Sequence, residues 1–344
     1  MKKNILWTGS HGFIAGYAIN KLLEEGNEVW GIDNFWKYGK IKKSYDEHPN
    51  FHFIEMDAKD TLKIQEIMIS NKINILVSGA AIIGGITMFH ELSYFLLREN
   101  ELITAAAFDA SIYCKENSNY FEKIVVISSS MVFESTNIWP SKETDVRNIP
   151  PPLSTYGFQK LATEYWAQGA WEQYKLNYTI IRPFNAIGIG EKRAKCETEC
   201  FSGNIKLAMS HVVPDLVQKI LKGQYPLRIL GDGTQIRHYT YAGDLANGIY
   251  ECIINPLAIN NDFNISTPIG HSVLDLAKII WSKIHKDKEF LYEIDEPFIY
   301  DVQKRIPDIS KAKEILNIEC NTSLEKALDE IIPWIENQIM LGGI

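Results

Sequence analysis

The sequence predicts an α/β protein: a doubly wound parallel sheet with a smaller C-terminal lobe interwoven with it. Three observations carry this. Short apolar runs alternate with amphipathic segments through the first half of the chain, the pattern of βαβ units. A glycine-rich turn follows the first apolar run and opens a helical pattern. No linker, repeat or low-complexity tract divides the 344 residues, so a second lobe is threaded through the first rather than strung after it.

In chain order, Asn4 to Thr8 reads as the first strand, and Phe13 to Glu25 as a helix with Ile14, Ala18 and Leu22 on one face. Strands follow at Glu28 to Ile32, Phe51 to Glu55 and Ile73 to Ser78. A helix over Asn100 to Lys115, a strand over Ile124 to Ser128, a helix over Tyr156 to Tyr174 and a strand over Tyr178 to Arg182 complete the regular half. The second half carries more loop. The expected division is 1–185 plus about 238–267 for the sheet domain, and 186–237 plus about 268–344 for the lobe.

Composition narrows the function. With 46% hydrophobic and 23% charged residues the chain is an ordinary globular protein, not a fibre, a disordered tail or a disulfide scaffold. Its 35 basic and 43 acidic residues give a net charge of −8, so no partnership with nucleic acid or anionic membrane is expected. A polyanionic ligand must be held by a local pocket. Ile75 to Phe89, the most membrane-like stretch, is broken by Ser78 and three glycines and is too short to span a bilayer. The amino terminus lacks the long apolar core of an export signal, and the five cysteines suggest free thiols in a reducing compartment, so a cytoplasmic location is expected. Cys196 and Cys200 lie close together, but no second Cys or His cluster accompanies them, and no metal is expected.

The turn Thr8-Gly9-Ser10-His11-Gly12-Phe13-Ile14-Ala15 has the chemistry of a dinucleotide loop. Gly9 makes the tight turn, Gly12 lets the backbone approach a pyrophosphate, and small Ala15 lets helix and strand pack closely. About twenty residues on, the second strand ends in Asp33, whose carboxylate suits a ribose and repels a 2′-phosphate, which favours NAD over NADP. Either end alone could be a connector or a turn. Together they form a motif.

Tyr156 and Lys160 stand four residues apart, on one face of a helix. With Lys160 and an oxidised nicotinamide nearby, the phenol's pKa is expected to fall from about 10 towards that of a general base. By itself this pair could be a half-buried tyrosine beside a solvated lysine. The strand end Ser128-Ser129-Ser130 decides, because a serine there can hydrogen-bond the same substrate hydroxyl.

At this point the chain resembles the extended short-chain dehydrogenase/reductase family, in particular its nucleotide-sugar epimerases and dehydratases. The resemblance runs over nearly the whole chain. Its marks are Thr8 to Ala15, Asp33, Asp57, Gly79-Ala80-Ala81, Asn100, the serine run, Tyr156 and Lys160. Further marks are Arg182-Pro183-Phe184-Asn185, Val213-Pro214, Gly231-Asp232-Gly233 with Arg237, Asp244-Leu245-Ala246, and Arg305 to Ala312. It implies a Rossmann domain binding NAD, a smaller lobe binding a nucleoside-diphosphate sugar, and a homodimer built on the helices beginning near Asn100 and Tyr156.

The resemblance also implies roles. Tyr156 takes the proton of the sugar's 4-hydroxyl while hydride leaves C4 for the nicotinamide. Lys160 lowers its pKa and holds the nicotinamide ribose, and Ser129, three residues before Val132, shares the hydroxyl's hydrogen bond. The cofactor set is Gly9, His11, Gly12, Phe13, Ile14, Asp33, Asp57, Ala58, Gly79, Ala80, Ala81, Asn100, Ser128 and Pro183, with Asp57 meeting the adenine. On the substrate side stand Gly85, Ser130, Asn185, His211, Val212, Arg237, Arg305 and Asp308. Asn185 and the two arginines hold the diphosphate region, and Asp308 lies near the nucleoside. Arginines in the pocket are what two phosphates require in a protein of net charge −8.

Departures from the family pattern choose among its reactions. The family's 4,6-dehydratases carry Asp-Glu after the catalytic hydroxyl, where this chain has Ser130 and Met131, so dehydration is disfavoured. Members that epimerise C3 and C5 place a cysteine where Met131 stands. Yet the Gly84-Gly85 loop and His211 resemble that branch, which leaves His211 either as an acid/base at C3 or C5 or as a hydrogen-bond donor to sugar or phosphate. Asp33 points to NAD and so to a cofactor regenerated within each turnover. The expected activity is therefore a nucleotide-sugar 4-epimerase working through a transient 4-keto sugar. The alternatives are a C4 dehydrogenase, a 3,5-epimerase/4-reductase on a GDP-sugar, and, from another class, a non-enzymatic NAD-binding sensor. Gly190 to Gly203, polar and acidic, reads as a flap over the sugar site.

Overall fold

The structure is a computed structural model describing residues 2–83, 91–195, 199–208, 211–296 and 302–342. Seven parallel strands form one sheet: β1 (Asn4–Thr8), β2 (Glu28–Asp33), β3 (Phe51–Glu55), β4 (Ile75–Ser78), β5 (Lys123–Ile127), β6 (Tyr178–Pro183) and β7 (Asn261–Ile265). Their order is β7-β6-β5-β4-β1-β2-β3. Leu6 of β1 lies between Trp30 of β2 and Leu76 of β4, so β1 is central and covered on both faces. After β3 the chain returns to the far side of β1, and the loops leaving β1 and β4 diverge. That reversal opens a crevice at the strand ends, the place where doubly wound sheets bind ligands.

Helices cover both faces. On one, α1 (Phe13–Glu24), α6 (Ala242–Ile254) and α8 (Ser310–Leu316) bury Ile19, Leu22, Leu245, Ile249 and Leu316. On the other, α2 (Thr61–Ser70), α3 (Ser93–Asn117) and α4 (Thr155–Tyr174) bury Ile64, Ala107 and Ala167. Leu22 is 0% exposed, and truncating it to alanine costs about 2–5 kcal/mol. A separate core holds the lobe: α5 (Val212–Leu221), α7 (Val273–Ile284) and α9 (Leu324–Met340) pack Leu216, Ile280 and Ile331 together, beside the paired strands Leu227–Leu230 and Tyr292–Asp295.

Where sequence and structure differ, polar side chains are the reason. The seventh strand, Asn-Asp-Phe-Asn-Ile, is too polar to read as buried, yet Asn264 donates to the carbonyls of Ser141 and Asp308, both at 3.1 Å, and Asp262 pairs with Arg182. Helix α2, also unread, starts at Asp60, whose carboxylate accepts from Lys63 N at 3.1 Å. Ala312, Leu316, Ile318 and Cys320, placed by the sequence reading in the lobe, pack into the core beneath the sheet. The lobe is tied to α1 through Glu330, which accepts from Tyr17 Oη at 3.1 Å and from Tyr241 Oη. No helix among the described residues is long and apolar enough to cross a membrane.

Candidate active site

The crevice is a cleft of about 690 Å³ between the sheet and the lobe, with a smaller recess of about 160 Å³ beyond the ends of β1 and β2. At the recess the backbone leaves β1 through Gly9, at φ +75°, where a Cβ would lie 2.7 Å from Ala80 Cα. Only glycine fits there. The Thr8 hydroxyl accepts from Gly79 N at 3.1 Å and Ala80 N at 3.0 Å, so the β1 and β4 ends are pinned together. Gly12, the residue before α1, provides no side-chain cap, which leaves the helix's first amides to the cleft lined by Phe13 and Ile14. Asp33 accepts from His11 N at 2.9 Å and Phe35 N at 2.7 Å, which fixes its carboxylate at the recess wall. A cradle without side chains, an uncapped helix end and a fixed carboxylate suit a dinucleotide.

Asp57, Ala58, Gly79, Ala80 and Ala81 line the same recess, and Pro183 lines the main cleft. Asn100 lines neither. It is buried behind the β4 loop, accepting from Ile82 N at 2.7 Å and donating to Ile82 O at 3.1 Å, so it shapes the cofactor wall from outside. Buried His11 has its pKa lowered, chiefly by burial, against the charges of Asp46 and Asp33.

The reactive centre is where α4 meets the end of β5. Ser154 caps α4 by accepting from Gly157 N at 3.0 Å, and Glu134 accepts from Ser154 N at 2.9 Å and its hydroxyl at 2.8 Å. A Cβ on Gly157 would lie 2.9 Å from Met131 O, so this glycine permits the helix to approach the serine loop. Tyr156 is thereby buried in the cleft wall with a side-chain hydrogen bond to Ser129. Lys160 Nζ donates to Ile127 O at 2.9 Å and lies 6.0 Å from the Tyr156 ring centroid. Burial lowers the Lys160 pKa to about 8, against the charge of Glu164. In the chain alone burial raises the phenol's pKa, against the hydrogen bond to Ser129 and the charge of Arg305, where the sequence reading expected a fall. That expectation drew on the nicotinamide's charge as well as the lysine's. Ser128 lines the cleft beside Ser129 and Ser130, and its hydroxyl donates to buried Glu164 at 2.5 Å.

Of the residues expected on the substrate side, Ser130, Asn185, His211, Val212, Arg237 and Arg305 all line the main cleft, drawn together from widely separated segments. Asp308 is not among the residues lining that cleft; its carboxylate accepts from Ser310 N, at the start of α8, at 2.9 Å. Gly85 and Cys196 lie outside the described residues. His211 bonds through Nδ1 to buried Glu191; burial alone would lower its pKa, but Glu191's charge and hydrogen bond prevail and raise it. Asp215, one turn into α5, has its carboxyl raised by burial to about 7. Glu191, Arg193, Asp215 and Lys219 line this cleft too, and sequence reasoning missed them. Asp215 at i+4 from His211 was the available signal.

The family model described as NAD dependent epimerase/dehydratase family matches residues 5–266. UDP-glucuronic acid decarboxylase 1 of Danio rerio is 25% identical over 343 residues, covering 98% of this chain and 74% of that protein. The crystal structure of a UDP-glucose 4-epimerase with UDP-glucose from Thermotoga maritima superposes with a TM-score of 0.79 at 27% identity, covering 98% of this chain and 99% of the other. A UDP-glucuronic acid 4-epimerase from Bacillus cereus, in complex with UDP-glucuronic acid and NAD, superposes with a TM-score of 0.79 at 25% identity, covering 97% and 99%.

Proposed function

The chain belongs to the NAD-dependent epimerase/dehydratase family and is an enzyme with NAD as its cofactor; from that premise we propose a nucleotide-sugar 4-epimerase acting through a transient 4-keto sugar. The observation that carries the reading is one cleft holding Tyr156, Ser129 and Lys160 together with Arg237 and Arg305. Bound along Gly9, Gly12 and Asp33, NAD supplies a hydride acceptor and then donor at the sugar's C4. Tyr156 Oη takes the proton of the 4-hydroxyl, Ser129 holds that oxygen, and the Lys160 ammonium stabilises the phenolate that accepts the proton. Arg237 and Arg305 hold the diphosphate, so the sugar can turn about its link and present its other face. Tyr156 then returns the proton.

Ser130 and Met131 offer no acid and base for eliminating water, which supports epimerisation over dehydration. The decarboxylase relatives favour a second reading. On a uronic acid the same first step makes a β-keto acid, which loses carbon dioxide to leave an enolate; C5 then takes a proton, from water or an acid in the cleft, and hydride returns to C4. Proton NMR of the enzyme with UDP-, GDP-, CDP- and dTDP-sugars in deuterated water, with no cofactor added, separates these. C4 inversion without deuterium uptake is the expected result. Conversion to a pentose, with deuterium at C5, makes the enzyme a decarboxylase, whereas deuterium at C3 or C5 of a sugar that keeps its carbons supports His211 as an acid/base.

The partner is a nucleoside-diphosphate sugar and a second copy of the chain. Leu102 and Tyr113 on α3, with Phe158 and Tyr165 on α4, are between 42% and 62% exposed and offer an apolar face to a homodimer. Sedimentation at micromolar concentration tests that assembly: a single-chain mass overturns it.

A further inference from the structure

Beneath the reactive centre lies a line of charged side chains that the proton transfer itself does not use. Arg182 of β6 grips Glu164 of α4 with two bonds, Nε to Oε1 at 2.8 Å and Nη2 to Oε2 at 2.7 Å. The same Nη2 reaches Asp262 of β7 at 2.8 Å, and Lys311 of α8 reaches Asp262 at 2.7 Å. Glu164 and Arg182 are each 2% exposed in their side chains, whereas Asp262 and Lys311 reach 27% at the rim. An ion pair so deeply buried is weak evidence for stability, because desolvation offsets most of its attraction. Its position is more informative.

Glu164 stands one turn after Lys160 and two turns after Tyr156, on one face of α4. It also accepts from Ser128, which lies between Ile127, whose carbonyl takes the Lys160 ammonium, and Ser129, which bonds Tyr156. One carboxylate thus fastens the helix carrying base and ammonium to the strand end carrying their partners. We infer that Glu164, held by Arg182, which Asp262 grips in turn, is a positioning residue that keeps Lys160 charged and aligned with Tyr156. This rests on the reading of Tyr156 and Lys160 as the proton-transfer pair.

The electrostatics agree in sign. The groups facing Lys160 are the Tyr156 ring and Glu164 on α4 and the Ile127 carbonyl at the end of β5; behind Glu164 stand Arg182 on β6, Asp262 on β7 and Lys311 on α8, and Arg305 acts on Tyr156. Burial lowers the lysine's pKa, and Glu164 is the group that raises it. Without that carboxylate, Lys160 and Arg182 would be two buried cations with no anion between them, and Lys160 would shed its proton at lower pH.

The test reads Lys160 directly in the full chain without substrate. Protein labelled with ¹³Cε-lysine is titrated by NMR, and the Lys160 resonance is identified by its loss in Lys160→Met. Glu164→Gln is expected to move the Lys160 midpoint down by about one pH unit, a tenfold change in acidity, and Asp262→Asn by a smaller step in the same direction. The alkaline limb of kcat/KM should move with it. An unmoved midpoint in folded Glu164→Gln overturns the inference. Should that variant not fold, Asp262→Asn, whose side chain reaches the rim, decides on the same criterion. Failure of the underlying reading would show separately, as a Tyr156→Phe enzyme that still turns over.

Discussion

The two ends of the cleft are built from different materials. At the nucleotide end the ligand-facing groups are mostly backbone: the Gly9 turn, the first amides of α1 and the loop after β4, with Asp33 locked by two amides. At the sugar end they are long side chains, Arg237, Arg305, His211, Glu191 and Asp215, gathered from segments far apart in the chain. A backbone cradle accepts one shape and resists change, because any side chain added to it collides. A side-chain cluster is held by charge and can be retuned one residue at a time. A family that keeps one cofactor and varies its sugar is well served by that division.

If the division is right, substitutions at the junction of the two ends should stop the chemistry and leave both ligands bound. Tyr156→Phe is the largest such effect: kcat should fall by about 10²–10⁴-fold while NAD binding by calorimetry is retained. The nucleotide end should break as a unit. Gly9→Val places a branched side chain against Ala80 at a φ of +75°, and the left-handed backbone alone costs about 1–2 kcal/mol. NAD binding should be lost together with several degrees of melting temperature. The sugar end should instead fail in increments. Arg305→Ala should raise KM for the nucleotide sugar about 10–100-fold, the value of a hydrogen bond to a charged group, with NAD affinity unchanged.

The smallest effect is in stability against pH. The Asp215 carboxyl has its pKa raised by burial from 3.8 to about 7, so the folded state holds that proton more tightly than the unfolded chain. Its contribution is present in full below the unfolded value and is lost as pH rises towards 7. Asp215→Asn should therefore gain melting temperature relative to the parent at about pH 8 and gain less at about pH 5. Equal differences at both pH values would mean that this carboxyl is ionised in the folded protein.

What could be read from the sequence follows the same division. The nucleotide end is a local motif, so Gly9, Gly12 and Asp33 stand in the chain at the spacing the geometry needs, and Tyr156, Lys160 and Ser129 meet because a helix and a strand end have regular periods. The motif around Asp308 carries no information about which way a carboxylate turns, and here it accepts from Ser310 N beside the start of α8. The bond from Ser128 to the buried carboxylate of Glu164 is visible only in three dimensions. Glu191 and Arg193 lie in the polar segment read as a flap, but its spacing has no period, so nothing local singled out these two side chains. The seventh strand escaped because its polar residues are satisfied by partners distant in the chain, a compensation that hydrophobic patterning does not register.

The central claim is that Tyr156 works in a cleft where the hydrogen removed from C4 returns to the same sugar. Its most direct test is a nucleotide sugar deuterated at C4, incubated with the purified enzyme in ordinary water with unlabelled NADH added. The account predicts a product inverted at C4 that keeps its deuterium there. Replacement of the label by hydrogen, as the labelled bound cofactor exchanges with the added NADH, or a product one carbon shorter, would contradict it.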